Sequence, residues 1–129
     1  MQRSDVDVRQ LRRRVESDIK QYAADYIPPS RDTVIGIPWT HERVSQEVER
    51  MASLLVDPYP VEYKSSDDML PPEDRLIGIR SAFVVAQDHD YVLLFDHDAE
   101  DFVLAVKLAD GRLTAWGIRG DAASTFLSR

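Results

Sequence analysis

The stretch Phe102-Val103-Leu104-Ala105-Val106-Lys107-Leu108-Ala109-Asp110-Gly111-Arg112-Leu113-Thr114-Ala115-Trp116 decides the fold. Phe102, Leu104, Val106 and Leu108 fall on one face, with Val103, Ala105 and Lys107 on the other, which is the two-residue period of a strand. A second extended run, Arg112–Ile118, starts directly after Asp110-Gly111. An Asp-Gly pair between two such runs predicts a hairpin with a type I′ turn, because that turn needs positive φ at both central residues.

Working backwards, Ser81–Ala86 and Tyr91–Phe95 read as two further strands. Their connections are short, so the four strands form an antiparallel meander. Val61–Lys64 offers a fifth strand. Residues 57–75 before and around it are rich in proline and acid and read as a long loop. A short extended segment, Thr33–Ile37, is demoted to an edge by Pro38.

The N-terminal part has a different period. Val8, Leu11, Val15, Ile19, Tyr22 and Tyr26 recur at three- and four-residue spacing and make one apolar helical stripe. Ser4 and Asp7 fit a capping box before it, and Pro28-Pro29 stops it. Thr40 caps a second helix whose apolar face is Val44, Val48, Met51 and Leu55, ended by Asp57-Pro58-Tyr59-Pro60. Past the meander, Gly120-Asp121 opens a short terminal helix with Ala123, Phe126 and Leu127. The expected fold is α+β: two N-terminal helices packed on a four- to five-stranded antiparallel meander, with a short C-terminal helix, all in one domain spanning residues 1–129.

Composition narrows the function. The chain has 129 residues, no cysteine, 43% hydrophobic and 30% charged residues, and a net charge of −7. This suits one globular domain and excludes a disulfide scaffold, thiol catalysis and cysteine-ligated metal. No apolar N-terminal segment resembles a signal peptide and no run is long enough to span a bilayer, so a cytoplasmic protein away from membranes is expected. Residues 1–20 carry a surplus of two positive charges, which leaves −9 on the remainder. Such an acidic body argues against a nucleic-acid partner and fits a basic protein. The Arg12-Arg13-Arg14 run points three ways around a helix and reads as a solvated face.

Histidine and carboxylate recur in two triplets, Asp88-His89-Asp90 and Asp96-His97-Asp98. Both residue types ligate zinc, iron or manganese. The triplets flank one strand, so equivalent residues lie about 25 Å apart if it stays extended, and one ion cannot join them. A metal-binding protein or metal-dependent enzyme using a single triplet is one alternative function. Another is a regulatory or structural subunit docking through the first helix. No glycine-rich phosphate loop, GxSxG or HExxH motif is present, and no catalytic residue or cofactor is assigned. Arg119-Gly120-Asp121 spells an adhesion tripeptide, but strand end and helix cap account for Gly120 and Asp121.

Residues 86–101 hold six acids and no Lys or Arg. Asp88, Asp90, Asp96, Asp98, Glu100 and Asp101 are the expected partner-binding residues. Charge reversal at Asp96, Asp98 and Asp101 is expected to weaken binding without unfolding the domain. The layout resembles the immunity proteins encoded beside bacterial polymorphic toxins, including the SMI1/KNR4-like group. That resemblance is carried by Phe83–Phe95, Phe102–Leu113 and the tail Gly117-Ile118-Arg119-Gly120-Asp121, about the last 50 residues. The Asn-Gly-Gly-like turn of that group is missing. The resemblance implies a non-catalytic monomer or homodimer that neutralises a toxin by direct binding, with acidic residues facing a basic surface.

Overall fold

A computed structural model describes residues 7–26, 40–67 and 70–129. The elements are α1 (Val8–Asp25), α2 (His41–Leu54), β1 (Leu55–Ser65), a 3-10 turn (Pro72–Asp74), β2 (Gly78–Asp88), β3 (Tyr91–Asp96), β4 (Asp101–Lys107), β5 (Leu113–Ala115), β6 (Arg119–Gly120) and α3 (Ala122–Leu127). Two N-terminal helices and a short C-terminal one pack on a mostly antiparallel sheet, the α+β arrangement expected. Thr33–Ile37, Trp39 and Pro28-Pro29 lie outside the described residues.

The sheet closes on itself. Consecutive strands pair antiparallel from β1 to β5, and β5 returns beside β1 in parallel through Lys64↔Thr114 and Ser65↔Ala115. Closure follows from long, bent strands. Val85 is an extra residue between Val84↔Leu94 and Ala86↔Leu93, and β1 shifts register between Leu55 and Tyr59. Bulges of this kind sharpen twist and bend a strand. Pro58 sits inside the β1 irregularity, where a missing N–H costs the ladder nothing.

Closure gives the chain two cores. Val84, Val92, Leu94, Val103, Ala105 and Ala115 fill the barrel interior beneath Tyr63. Small residues occur here because a five-stranded lumen has little room. On the outer surface, Phe83, Phe95, Phe102 and Leu104 meet Leu11, Val15, Ile19, Val48, Met51 and Phe126 of the helices. The α1 stripe is therefore consumed by the chain's own core. It is not a free docking element.

Several local expectations change. Asp7 caps α1, its carboxylate accepting the Arg9 and Gln10 N–H groups, while Ser4 of the expected capping box lies outside the described residues. Thr40 and Asp121 cap α2 and α3 as read. Leu55 begins β1 instead of ending α2, and Asp57–Pro60 belongs to the strand. The hairpin at Asp110-Gly111 has a three-residue loop, with Gly111 N–H bonded to the Leu108 carbonyl and positive φ at Gly111 alone. That is the bulged loop with glycine in its left-handed position, not type I′. The expected strand Arg112–Ile118 is broken at Gly117, whose φ is +112°. A Cβ there would lie 3.2 Å from the Asp67 Cα, so the break lets residue 67 seat against the chain.

Candidate functional site

Inward positions alternate along each strand, and their last members at one end of the barrel are polar. Val61 and Tyr63 lead to Ser65; Val84 and Ala82 lead to Arg80; Val92 and Leu94 lead to Asp96; Ala105 and Val103 lead to Asp101. Arg119 of β6 pairs with Val103 and completes the layer. The apolar lumen is thus closed by a polar lid drawn from five strands.

Arg119 is its centre, with a side chain only 8% exposed. Its guanidinium donates to Asp101 at 2.9 Å, to the Tyr63 hydroxyl at 2.7 Å, to Ser65 at 3.3 Å and to Asp67 at 3.2 Å. Arg80 donates two bonds to Asp96, 2.6 and 3.2 Å long. The Tyr63 hydroxyl donates to Asp96 at 2.5 Å. Asp67, at φ +51° and fully buried, also accepts from the Ser65 hydroxyl and the Leu76 N–H. Two guanidiniums thereby face three carboxylates, so each carboxylate contacts a guanidinium, as buried ions require, and the cluster keeps one surplus negative charge.

Electrostatics follow from that geometry. Burial alone would raise the Asp96 carboxyl, but bonds from Arg80, Tyr63 and the Ala99 N–H outweigh it and hold it at about 2. Burial, with the bond to Asp96, pushes the Tyr63 phenol up to about 12. Burial also raises Asp101, which Arg119 offsets only in part.

The six expected partner-binding acids separate. Asp96 is fully buried inside the lid, and Asp101 is engaged there by Arg119. Asp88 accepts from Arg129 at 2.8 Å and lies 3.6 Å from Arg50. Reversal of Asp96 or Asp101 would therefore damage the fold, contrary to the sequence expectation. Asp90, Asp98 and Glu100 are exposed. Asp90 stands at the opposite end of β3 from the other two, so the acids form two separate groups.

The loop 97–100 is built from below. The Asp96 carboxylate accepts the Asp98 and Ala99 N–H groups at 3.2 and 3.0 Å, and Glu100 takes a φ of +57°. His97 packs edge-on against Phe83, with its Nε2 3.7 Å from Asp98. Asp98 and Glu100 are left pointing to solvent, with the Asp98 side chain 57% exposed. The other triplet's His89 is almost wholly exposed, so identical tripeptides occupy unlike settings. Among the described residues no group of three or more His, Asp or Glu is placed to hold a metal ion, and no helix is long and apolar enough to cross a membrane.

Next to the β4–β5 hairpin, β1 and β5 part on one side of their two residue pairs. A groove of about 610 Å³ opens there, lined by Val61, Tyr63, Lys64, Ile79, Leu113 and Thr114 among others. The helices leave this outer side uncovered. Ile77 and Ile79 are 74% and 66% exposed, and Trp116 is 41% exposed. Tyr63 is buried and Tyr59 is on the surface.

Sequence reading missed the lid. The strand end and helix cap account only for Arg119's neighbours, Tyr63 falls in the short expected strand Val61–Lys64, and Arg80 lies just outside the expected strand Ser81–Ala86. One signal was available: Arg80 shares its strand face with Ala82 and Val84, and Asp96 shares its face with Val92 and Leu94. A charge in register with an apolar face calls for an internal counter-charge. Compared with known protein families, curated proteins and solved structures, the chain matches none.

Proposed function

We propose that this chain is a non-catalytic protein-binding module of the immunity type, which neutralises a basic toxin domain by direct contact. One observation carries the reading: the loop 97–100 displays Asp98 and Glu100 to solvent while the buried Asp96 fixes its backbone from beneath. A loop held in place before the partner arrives spares the ordering cost of binding. Exposed acids on such a loop steer a basic surface and fix its orientation. The net charge of −7 adds a long-range attraction of the same sign. The buried ions of the lid serve the loop by holding its base.

The test is co-purification from the source organism with a tagged chain, first in low salt and then in high salt. The reading expects one stoichiometric basic protein that leaves as salt screens the contact. Recovery of only acidic or substoichiometric proteins would count against it.

A further inference from the structure

Resting on the binding reading above, we infer that the open edge of β1 at Pro60 to Glu62 takes a short extended segment of the protein partner as an added strand, held by the main chain of Glu62. The groove between β1 and the β4–β5 hairpin is the lane for that segment.

The edge follows from register. β5 reaches β1 only at Lys64 and Ser65. The Ser66 N–H bonds the Ala115 carbonyl at 3.1 Å, and this fixes the phase of the strand. From residue 60 onward, even-numbered residues turn their main chain toward β5 and odd-numbered ones toward β2. Pro60 and Glu62 belong to the even set but have no pair on β5. The Glu62 N–H and C=O and the Pro60 C=O therefore face the groove with no strand opposite them. An edge of this kind is a template for another strand. Apolar residues line the groove from both sides of the wall: Val61 and Leu113 pack against the inner core, while Ile79 and Leu108 are exposed. Successive side chains of an extended segment point to opposite faces, so both sets find apolar contact there.

Main chain, not charge, selects the occupant. Glu62 and Lys64 line the groove with opposite charges, and Arg112 is bonded to Asp110 at 2.6 Å, so neither sign is favoured. Pro60 limits the length. It has no N–H, so the edge offers one donor, that of Glu62, and a longer strand finds no donor before it. Pro60 also disfavours a second copy. Two β1 edges paired antiparallel about Val61 would set Pro60 against Glu62 twice, and half of the four bonds would lack a donor. A short, uncharged, β-branched segment of another protein meets each of these conditions.

The experiment follows backbone amide NMR of the full chain during titration with the blocked peptide Thr-Val-Thr-Val-Thr, and separately with the same peptide N-methylated at every residue. The expected result is saturable shifts of the Glu62 and Leu113 amides with the first peptide and none with the second. Pro60→Thr restores a donor to the edge and should tighten binding about fivefold, the effect of one added hydrogen bond. Glu62→Pro removes the remaining donor and should abolish binding. Equal shifts with the methylated peptide would overturn the proposal, because apolar contact alone would then explain them. Absence of shifts at Glu62, or unchanged affinity in Pro60→Thr, would overturn it too. Sedimentation equilibrium of the chain alone is expected to give a monomer, and a dimer dissociated by Glu62→Pro would overturn the proposal by making a second copy the occupant. Far-UV circular dichroism checks that both variants fold, and the comparison of the two peptides on the wild-type chain needs neither. The peptides are uncharged, so failure here leaves the acidic-loop reading to charge reversal at Asp98 and Glu100.

Discussion

Arg119 is the single residue on which most of the polar lid depends. Truncating it strands Asp67 and Asp101 and leaves the Tyr63 hydroxyl without its donor. Arg119→Ala should therefore cost about 3–5 kcal/mol in urea unfolding, the usual result of leaving buried charge uncompensated. Tyr63→Phe removes one hydroxyl from a buried pair of bonds and should cost about 1–3 kcal/mol. Acid sensitivity has a definite sign. The Asp96 carboxyl sits at about 2 when folded, below its ordinary value near 3.8, so its contribution is complete above that value and is lost as pH falls towards 2. Asp101, raised by burial, acts in the opposite sense and blunts the loss. Unfolding free energy should fall between about pH 4 and pH 2, and Asp96→Asn should flatten that limb while lowering stability at neutral pH. An acid limb equally steep in the variant would remove Asp96 as its source.

At the scale of elements, the reading from sequence succeeded where one periodicity ran uninterrupted. α1 and α2 were legible from their stripes, and Leu11, Val15, Ile19, Val44, Val48 and Met51 are all buried as that pattern requires. Ile19→Ala should cost about 2–5 kcal/mol, whereas Val8→Ser at the exposed start of the same stripe should stay within about 0.5. Thermal or urea unfolding of the two variants checks that contrast. β2, β3 and β4 were legible too. Of β1 only Val61–Lys64 was legible, because Pro58 and Pro60 read as helix-ending loop, and only pairing with β2 across the bulge makes those residues strand. Barrel closure was equally hidden, since it rests on two parallel pairs between residues 50 positions apart. The broken last strand depends on a tertiary contact. Gly117 needs positive φ and lies where a Cβ would press on Leu70 and Asp67. Gly117→Ala should destabilise by about 1–3 kcal/mol.

At the scale of the whole molecule, the barrel separates two tasks. Its helix-covered side and its lumen hold the fold together, while the opposite outer side and the loop 97–100 remain open to solvent. Half of the expected acidic surface was legible in the sequence: Asp90, Asp98 and Glu100 are exposed, but composition could not reveal that Asp88, Asp96 and Asp101 are engaged by the chain's own arginines. The ordering of these acids by burial gives the functional reading its sharpest form, because some charges hold the scaffold and others are free to meet a partner. The direct test is calorimetric titration of the purified partner against the wild-type chain and the Asp98→Lys, Glu100→Lys double variant at low salt. The account predicts a melting temperature close to wild type and an affinity loss of about tenfold or more that shrinks as salt is raised. Unchanged affinity in a folded double variant would contradict it.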